Sequence, residues 1–277
     1  MKIVASQHVA SVNLATSDAD LLPEWNLSDL YEGPNALELQ ADLTRLVTEV
    51  EKFNKEYRGK LCELITDAQA SIQFGVALEK YENLQDLLGR LMSYAGLLYS
   101  ADTTDPQRIK FYGDIQEKVT NASAQLIFFQ LELNRLDNAE LMKVSQSGPL
   151  SRWKPWLEDI RKEKPHELDE KLEELFHEKY ISGAAAWNRL FDETIASLRF
   201  NISGVELAIE PALNLMQDSD EGKRRDAAVE IGKTFKANLS IFTLITNTLA
   251  KDKEISDRWR GFEDVADARH LSNRVER

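Results

Sequence analysis

Apolar residues return every three or four positions along most of this chain, the period of a helix rather than a strand. After Gly33-Pro34, where proline suits a first helical turn, Leu43, Leu46, Val47, Val50, Phe53 and Tyr57 form one stripe, and Gly59 is expected to close that helix. A second helix is predicted from Leu61 onward, with Leu84, Leu87, Leu88 and Leu91 on one face and an end near Tyr99. The polar stretch SADTTDP separates it from a long helix expected over 106–136, carried by Ile109, Tyr112, Ile115, Val119, Ala122 and Leu126. Asp137 to Ser147 reads as a short helix closed by Gly148-Pro149. LSRWKPWLEDIRKEK follows as a helical segment interrupted by Pro155, with Trp153 and Trp156 as core anchors.

One stretch changes period. ASLRFNISGVELAIE alternates Leu198, Phe200 and Ile202 before Ser203-Gly204, then Val205, Leu207 and Ile209 after it. Period two on both sides of a two-residue glycine turn predicts a β-hairpin, about residues 196–210. A lone hairpin is marginal, so it must pack on helices or on protein beyond this chain. The last long helix is expected from Asp218 to Glu221, capped by Asp218 or Ser219, and carries Ala228, Ile231, Phe235, Phe242, Ile245 and Leu249. The fold class is therefore mainly α: a multi-helix array with one β-hairpin. At the end, Asn273-x-x-Glu276 has the spacing of a capping box. It reads as the start of a further helix, and so as part of a longer protein.

PHELDEKLEELFHEKY, residues 165–180, raises a chemical question because it opens two His-Glu pairs, His166-Glu167 and His177-Glu178. A zinc peptidase helix reads His-Glu-x-x-His. Four residues after His166 stands Glu170, and four after His177 stands Ile181, so neither pair completes the motif. At about 100° per residue, Leu168, Leu172, Leu175 and Phe176 make a buried stripe. His166, Glu170, Glu173 and His177 then fall on the solvent side. DSDEGKRRDAAV also fails as a calcium loop, with Gly222 and Val229 where ligands are needed. The four histidines at 8, 166, 177 and 270 are scattered, and no catalytic or metal residue is assigned.

Composition narrows the partners. With 47 acidic against 34 basic residues the formal charge is −13, which repels phosphate backbones and anionic lipid and argues against nucleic acid and membrane surfaces. The N-terminal twenty residues lack a sustained apolar run, make a poor signal peptide, and read as a loose tail, 1–20, before a helical region, 21–277. Leu239 to Leu249 is too short and too polar for a membrane span. Cys62 is the only cysteine; it forms no internal disulfide, agrees with a cytoplasmic location, and reads as a buried thiol.

WNLSDLY at 25–31 resembles the opening signature of the oligoendopeptidase F group of zinc metallopeptidases, in the M3 clan of thimet-like enzymes. The resemblance continues through PHELDEKLEEL, GAAAWNRLFDETIASLRF, the hairpin, DEGKRRDAAVEIGKTF and DKEISDRWRGFEDVADARHLSN, covering nearly all of the chain after about residue 20. It implies a mostly helical cytoplasmic peptidase that cleaves short peptides inside a deep channel. Its zinc would be held by two His of His-Glu-x-x-His and a downstream Glu, in a C-terminal half not present before Arg277. By that resemblance this chain is an N-terminal channel wall, binds no zinc itself and is inactive alone. Arg258, Arg260, Arg269, His270 and Asn273 lie near the expected domain junction, where they face substrate carboxylates or the missing half, or form salt bridges. The alternative is a self-contained helical scaffold that binds peptides or protein partners. The enzyme-part reading predicts an uncovered apolar face around the hairpin and final helix; the scaffold reading predicts a covered core.

Overall fold

The computed structural model describes residues 25–65, 68–145 and 148–276; the expected tail at 1–20, with His8, lies outside them. Helix α1, Leu37–Tyr57, buries Leu39, Leu43, Leu46, Val50, Phe53 and Tyr57, a 4-3-4-3-4 spacing that keeps one face inward. Val47 falls off that face and is exposed. Gly59, at φ +79°, takes the left-handed turn after α1, a conformation glycine adopts without a Cβ clash. The helix expected from Leu61 is divided: a 3-10 turn, Leu61–Ile65, precedes α2, Ala68–Ala101. Leu61 and Ile65 take the inward positions of that turn, and Cys62 between them is exposed rather than buried.

Asp105 caps α3, Pro106–Ala124, by accepting from Gln107 N at 2.7 Å and Arg108 N at 3.4 Å. The single helix expected over 106–136 is two, because α4 is a separate element, Ile127–Arg135. At the break Gln125 N and Leu126 N turn to Ala122 O and Ser123 O, three residues back. That tightening allows Leu126, Phe128 and Phe129 all to bury; neighbours on a straight helix point about 100° apart. Next come α5, Asn138–Ser145, a 3-10 turn, Gly148–Trp153, and α6, Lys154–Glu163. Pro155 stands in the first turn of α6 and starts that helix rather than interrupting it.

These helices enclose one aromatic core. Phe53 lies 5.1 Å from Phe129 and 4.8 Å from Tyr57, ring centre to ring centre, and Tyr81 stacks on Phe129 at 4.5 Å. Trp153 is buried and Trp156 is half-buried against the same core, as anchors should be. WNLSDLY is tied to it by polar contacts: Tyr31 donates to Asp42 Oδ2 at 2.8 Å, and Arg90 pairs with Glu38 and Asp42 beneath the Tyr31 ring.

The second part holds α7, Glu170–Ser182; α8, Ala184–Ser197; β1, Phe200–Ile202; β2, Val205–Leu207; α9, Ile209–Leu215; α10, Glu221–Ala237; α11, Leu239–Arg260; and α12, Asp267–Ser272. The hairpin is the expected one, with Phe200 opposite Leu207 and Ile202 opposite Val205. Ser203 and Gly204 both have positive φ, 53° and 85°, as a two-residue type I′ turn requires. Its β1 face packs on α9 and α10. Asp220, rather than Asp218 or Ser219, caps α10 through Gly222 N at 2.7 Å; Asp218 instead accepts from Asp220 N and Lys223. The last long helix is broken at Asn238, whose side chain donates back to Thr234 O. Ala227, not Ala228, faces inward. Asn273 closes α12 instead of opening a helix: Val275 N reaches His270 O and Arg274 N reaches Leu271 O, with Arg274 at φ 55°. That pair of bonds is the Schellman closure. Among the described residues no helix is long and apolar enough to cross a membrane.

Candidate functional site

The segment at 165–180 is not one helix. Pro165 sits in a 3-10 turn, Lys164–His166, the backbone extends at Glu167 and Asp169, and Asp169 caps α7 by accepting from Leu172 N at 3.3 Å. The two expected faces do not separate either: Leu168, Leu172 and Phe176 are half-buried, and so are His166, Glu170, Glu173 and His177. No residue of α7 is fully buried, Leu175 is 51% exposed, and Glu173 and His177 are half-buried. What turns the polar side inward is a set of partners on three other elements. Arg58, just after α1, pairs with Glu170 at 3.0 Å and Glu174 at 3.3 Å. Ser123 Oγ of α3 stands 2.8 Å from His177 Nε2. Arg260, at the end of α11, grips Glu173 with two bonds of 2.7 Å. Paired charges tolerate an inward position that lone ones do not.

Arg260 and His166 lock the chain reciprocally. Arg260 Nη1 donates to His166 O at 3.2 Å, and His166 Nδ1 donates to Arg260 O at 2.9 Å. His166 also stacks on Phe262 at 4.0 Å. Gly261, at φ +71°, makes the turn that sets Phe262 there, with Phe262 N bonded to Asp257 O. Beside this clamp lies a cleft of about 730 Å3, with apolar walls from Ile127, Leu131, Phe176 and Leu271 and polar ones from Glu167, Glu173, His177 and Arg260.

The electrostatics follow from burial and these bonds. Burial alone would raise Glu173, but the bonds from Arg260 and Leu168 N hold its carboxyl below the ordinary value. Burial pushes Glu167 up, against the opposing bond from Asn134. Burial lowers His177, which favours neutral imidazole. The Glu173 oxygens are occupied by donors, and the Ser123 hydroxyl faces both Thr120 O, at 3.2 Å, and His177. The arrangement therefore holds helices together; its carboxylate and imidazole are committed to structural bonds.

Of the five residues singled out from sequence, Arg260 alone lines this cleft. Arg258 pairs with Glu254 at 3.1 Å on the exposed side of α11, Arg269 is exposed, His270 is half-buried on α12, and Asn273 closes that helix. Glu173, His177 and Ser123 were not singled out. Local pattern could not find them, because Arg260 is 87 positions from Glu173 and Ser123 is 54 from His177.

The fold is a helical array with one hairpin, and its likeness to known proteins lies with oligopeptidases. Residues 132–200 match the family described as Oligopeptidase F. The chain is 25% identical over 243 residues to Oligopeptidase PepF of Bacillus subtilis (strain 168), a match covering 82% of this chain and 34% of that protein. Its fold matches the crystal structure of oligoendopeptidase-F from Enterococcus faecium with a TM-score of 0.74 at 18% identity, over 86% of this chain and 47% of that one. A putative peptidase from Chlamydophila abortus matches at 0.52 and 17% identity, over 93% and 44%. The chain thus resembles the N-terminal portion of oligoendopeptidase F-like M3 peptidases. It spans about a third of the curated relative's length and under half of each solved one.

Proposed function

We propose that this chain is the N-terminal helical part of a cytoplasmic, oligoendopeptidase F-like zinc metalloendopeptidase, forming one wall of a channel in which short peptides are hydrolysed. The observation that carries this reading is the shared fold, at a TM-score of 0.74 over 86% of the chain, alongside the Oligopeptidase F match at 132–200. The uncovered apolar face expected of an enzyme part supports it further: Val205, Leu213, Leu239 and Leu244 are all at least 40% exposed. That distribution weighs against the self-contained scaffold, whose core would be covered.

The zinc implied by the resemblance does not fit the residues here. Among the described residues no three His, Cys, Asp or Glu side chains are grouped as ligands, and His166 and His177 are engaged with Arg260 O and Ser123. No step of hydrolysis is therefore assigned to this chain. Its role is to shape the wall and to hold the cleft beside α7 and α11. The test is hydrolysis of internally quenched peptides of different lengths by the purified 277-residue chain with added zinc. No turnover above buffer is expected; chelator-sensitive turnover would overturn the assignment of chemistry to another part of the enzyme.

A further inference from the structure

The apolar surface of the second part is concentrated in a groove where α8 meets the α10–α11 junction. Phe191, Ile195, Phe235, Leu239 and Phe242 line it, with Lys236 as its one charged residue, and it encloses about 600 Å3. Phe191 is 44% exposed and Leu239 59%. The rings are already ordered: Phe242 stands 5.8 Å from Phe191 and 5.6 Å from Phe235, each edge to face, and Phe235 contacts the fully buried Phe200 at 6.0 Å. The groove is thus the open side of the small core beneath the hairpin. That core holds six buried residues: Leu198, Phe200, Ile202, Ala212, Ala227 and Ile231.

We infer that this groove is the seat of the C-terminal portion of an oligoendopeptidase F-like chain, which covers it with an apolar surface and places an acidic group against Lys236. This rests on the proposed function, and it names where the parts meet. Three observations select that occupant. The solved Enterococcus faecium relative uses only 47% of its chain on the shared fold, so more than half of such a protein has to lie against it or beside it. A six-residue core with an open aromatic side needs permanent cover, since burial is what stabilises it; a transient peptide leaves it open most of the time. The groove is apolar except for Lys236, for which no ion pair within 4.0 Å is found among the described residues, so the match is to a core-like surface and not to a charged ligand.

Thiol labelling tests it without requiring turnover. Leu239→Cys is made in a Cys62→Ala background of the 277-residue chain, and the aligned position of full-length Bacillus subtilis Oligopeptidase PepF receives the same cysteine. Labelling is expected to be fast in the short chain at every protein concentration and at least about 100-fold slower in the full-length relative, as for a site reached only by local opening. Fast labelling in both overturns the inference while leaving the peptidase reading intact. Labelling of the short chain that slows as its concentration rises assigns the groove to a second copy, and slow labelling at every concentration makes it closed within this chain; either also overturns the inference. A failed peptidase assay, conversely, does not alter the labelling result. Ala237→Cys, placed one residue beyond Lys236 on exposed backbone outside the groove lining, controls for thiol reactivity and is expected to label in the short chain at the same rate as Leu239→Cys.

Discussion

The body formed by α1–α6 and the arm formed by α7–α12 are both mainly helical and are held together differently. Helix α1 buries seven of its 21 residues, while α11, one residue longer, buries only Ile245. In the body, apolar stripes meet one another and make a continuous aromatic core. In the arm, α7, α8 and α12 bury no residue fully, and specific polar ties join it to the body: Arg58 to Glu170 and Glu174, Ser123 to His177, Arg274 to Asp159. The difference teaches that helical period alone does not say what a helix packs against. Non-directional burial carries the body, whereas specific ion pairs and hydrogen bonds orient the arm.

The largest expected effect separates the two cores. Phe129 is fully buried between Phe53 and Tyr81, so Phe129→Ala should cost about 3–5 kcal/mol. Phe200 is equally buried, but in a core of six residues beside an open groove. Phe200→Ala should leave the body intact and loosen the part of the arm built on that small core, the hairpin and the helices after it. Hydrogen exchange with mass analysis of fragments distinguishes them: the first substitution accelerates exchange throughout 37–163, the second only beyond about residue 198. Global acceleration by both would mean that the chain folds as one unit and that the contrast between body and arm is false.

The clamp comes next. Glu173→Gln leaves Arg260 half-buried without its countercharge. Truncating one partner of a fully buried pair costs about 3–5 kcal/mol; Glu173 and Arg260 keep 14% and 24% side-chain exposure, so about 1–3 kcal/mol is expected here. Acid should act in the same direction. Glu173 is held below its ordinary 4.5, so its contribution is complete above that pH and is lost as pH falls through the lower folded value. His177 is held below 6.5: folding favours its neutral form, so stability is lost as pH falls below 6.5 and the unfolded chain takes up the proton more readily. Glu167 works oppositely, since burial raises it and its protonation on acidification relieves strain. Denaturant midpoints of the arm at pH 7, 5.5, 4 and 3 should therefore fall in the wild type, and Glu173→Gln should flatten the part of that fall below pH 4.5.

Matched caps sharpen the comparison at smaller scale. Asp105 caps α3 in the body by accepting two backbone N–H groups, and Asp169 caps α7 in the arm by accepting one. Replacing either by Ala should remove about 1 kcal/mol. Asp105→Ala is expected to appear in global unfolding by urea; Asp169→Ala should appear only in local exchange of 170–182. Equal effects of the two on the global midpoint would show the arm to be coupled as tightly as the body.

The body was the legible part because its information is local. Leu43, Leu46, Val50, Phe53 and Tyr57 declare their face within five turns, and Ser203-Gly204 declares a two-residue hairpin turn. The places where pattern failed are places where a partner far along the chain decided the outcome. Glu173 and His177 look like a solvated face until Arg260 and Ser123 are brought to them. Breaks at Gln125 and Asn238 carry no proline or glycine; the first goes with the burial of Leu126, Phe128 and Phe129 and the second with the bond from Asn238 back to Thr234 O. Cys62 missed its expected burial because Leu61 and Ile65 take the inward positions of the turn that carries it. Of the five site candidates, Arg260 joins the cleft, where it is paired with Glu173.

The smallest effect tests whether the arm's exposed residues contribute to this chain at all. Leu244 of α11 is 55% exposed and stands outside both the cleft and the apolar groove linings. If the arm is held by polar ties and its small core, Leu244→Gln should change the midpoint of the 277-residue chain by less than about 0.5 kcal/mol. Leu43→Gln, a buried position in the body, provides the contrast, because it leaves an amide without partners in an apolar core and should cost several times more. Light scattering gives the second readout. Removing Leu244 shrinks the exposed apolar surface, so solubility should rise without a change in stability. A loss of stability comparable to that of Leu43→Gln would mean that Leu244 is packed in solution and that the arm is closed.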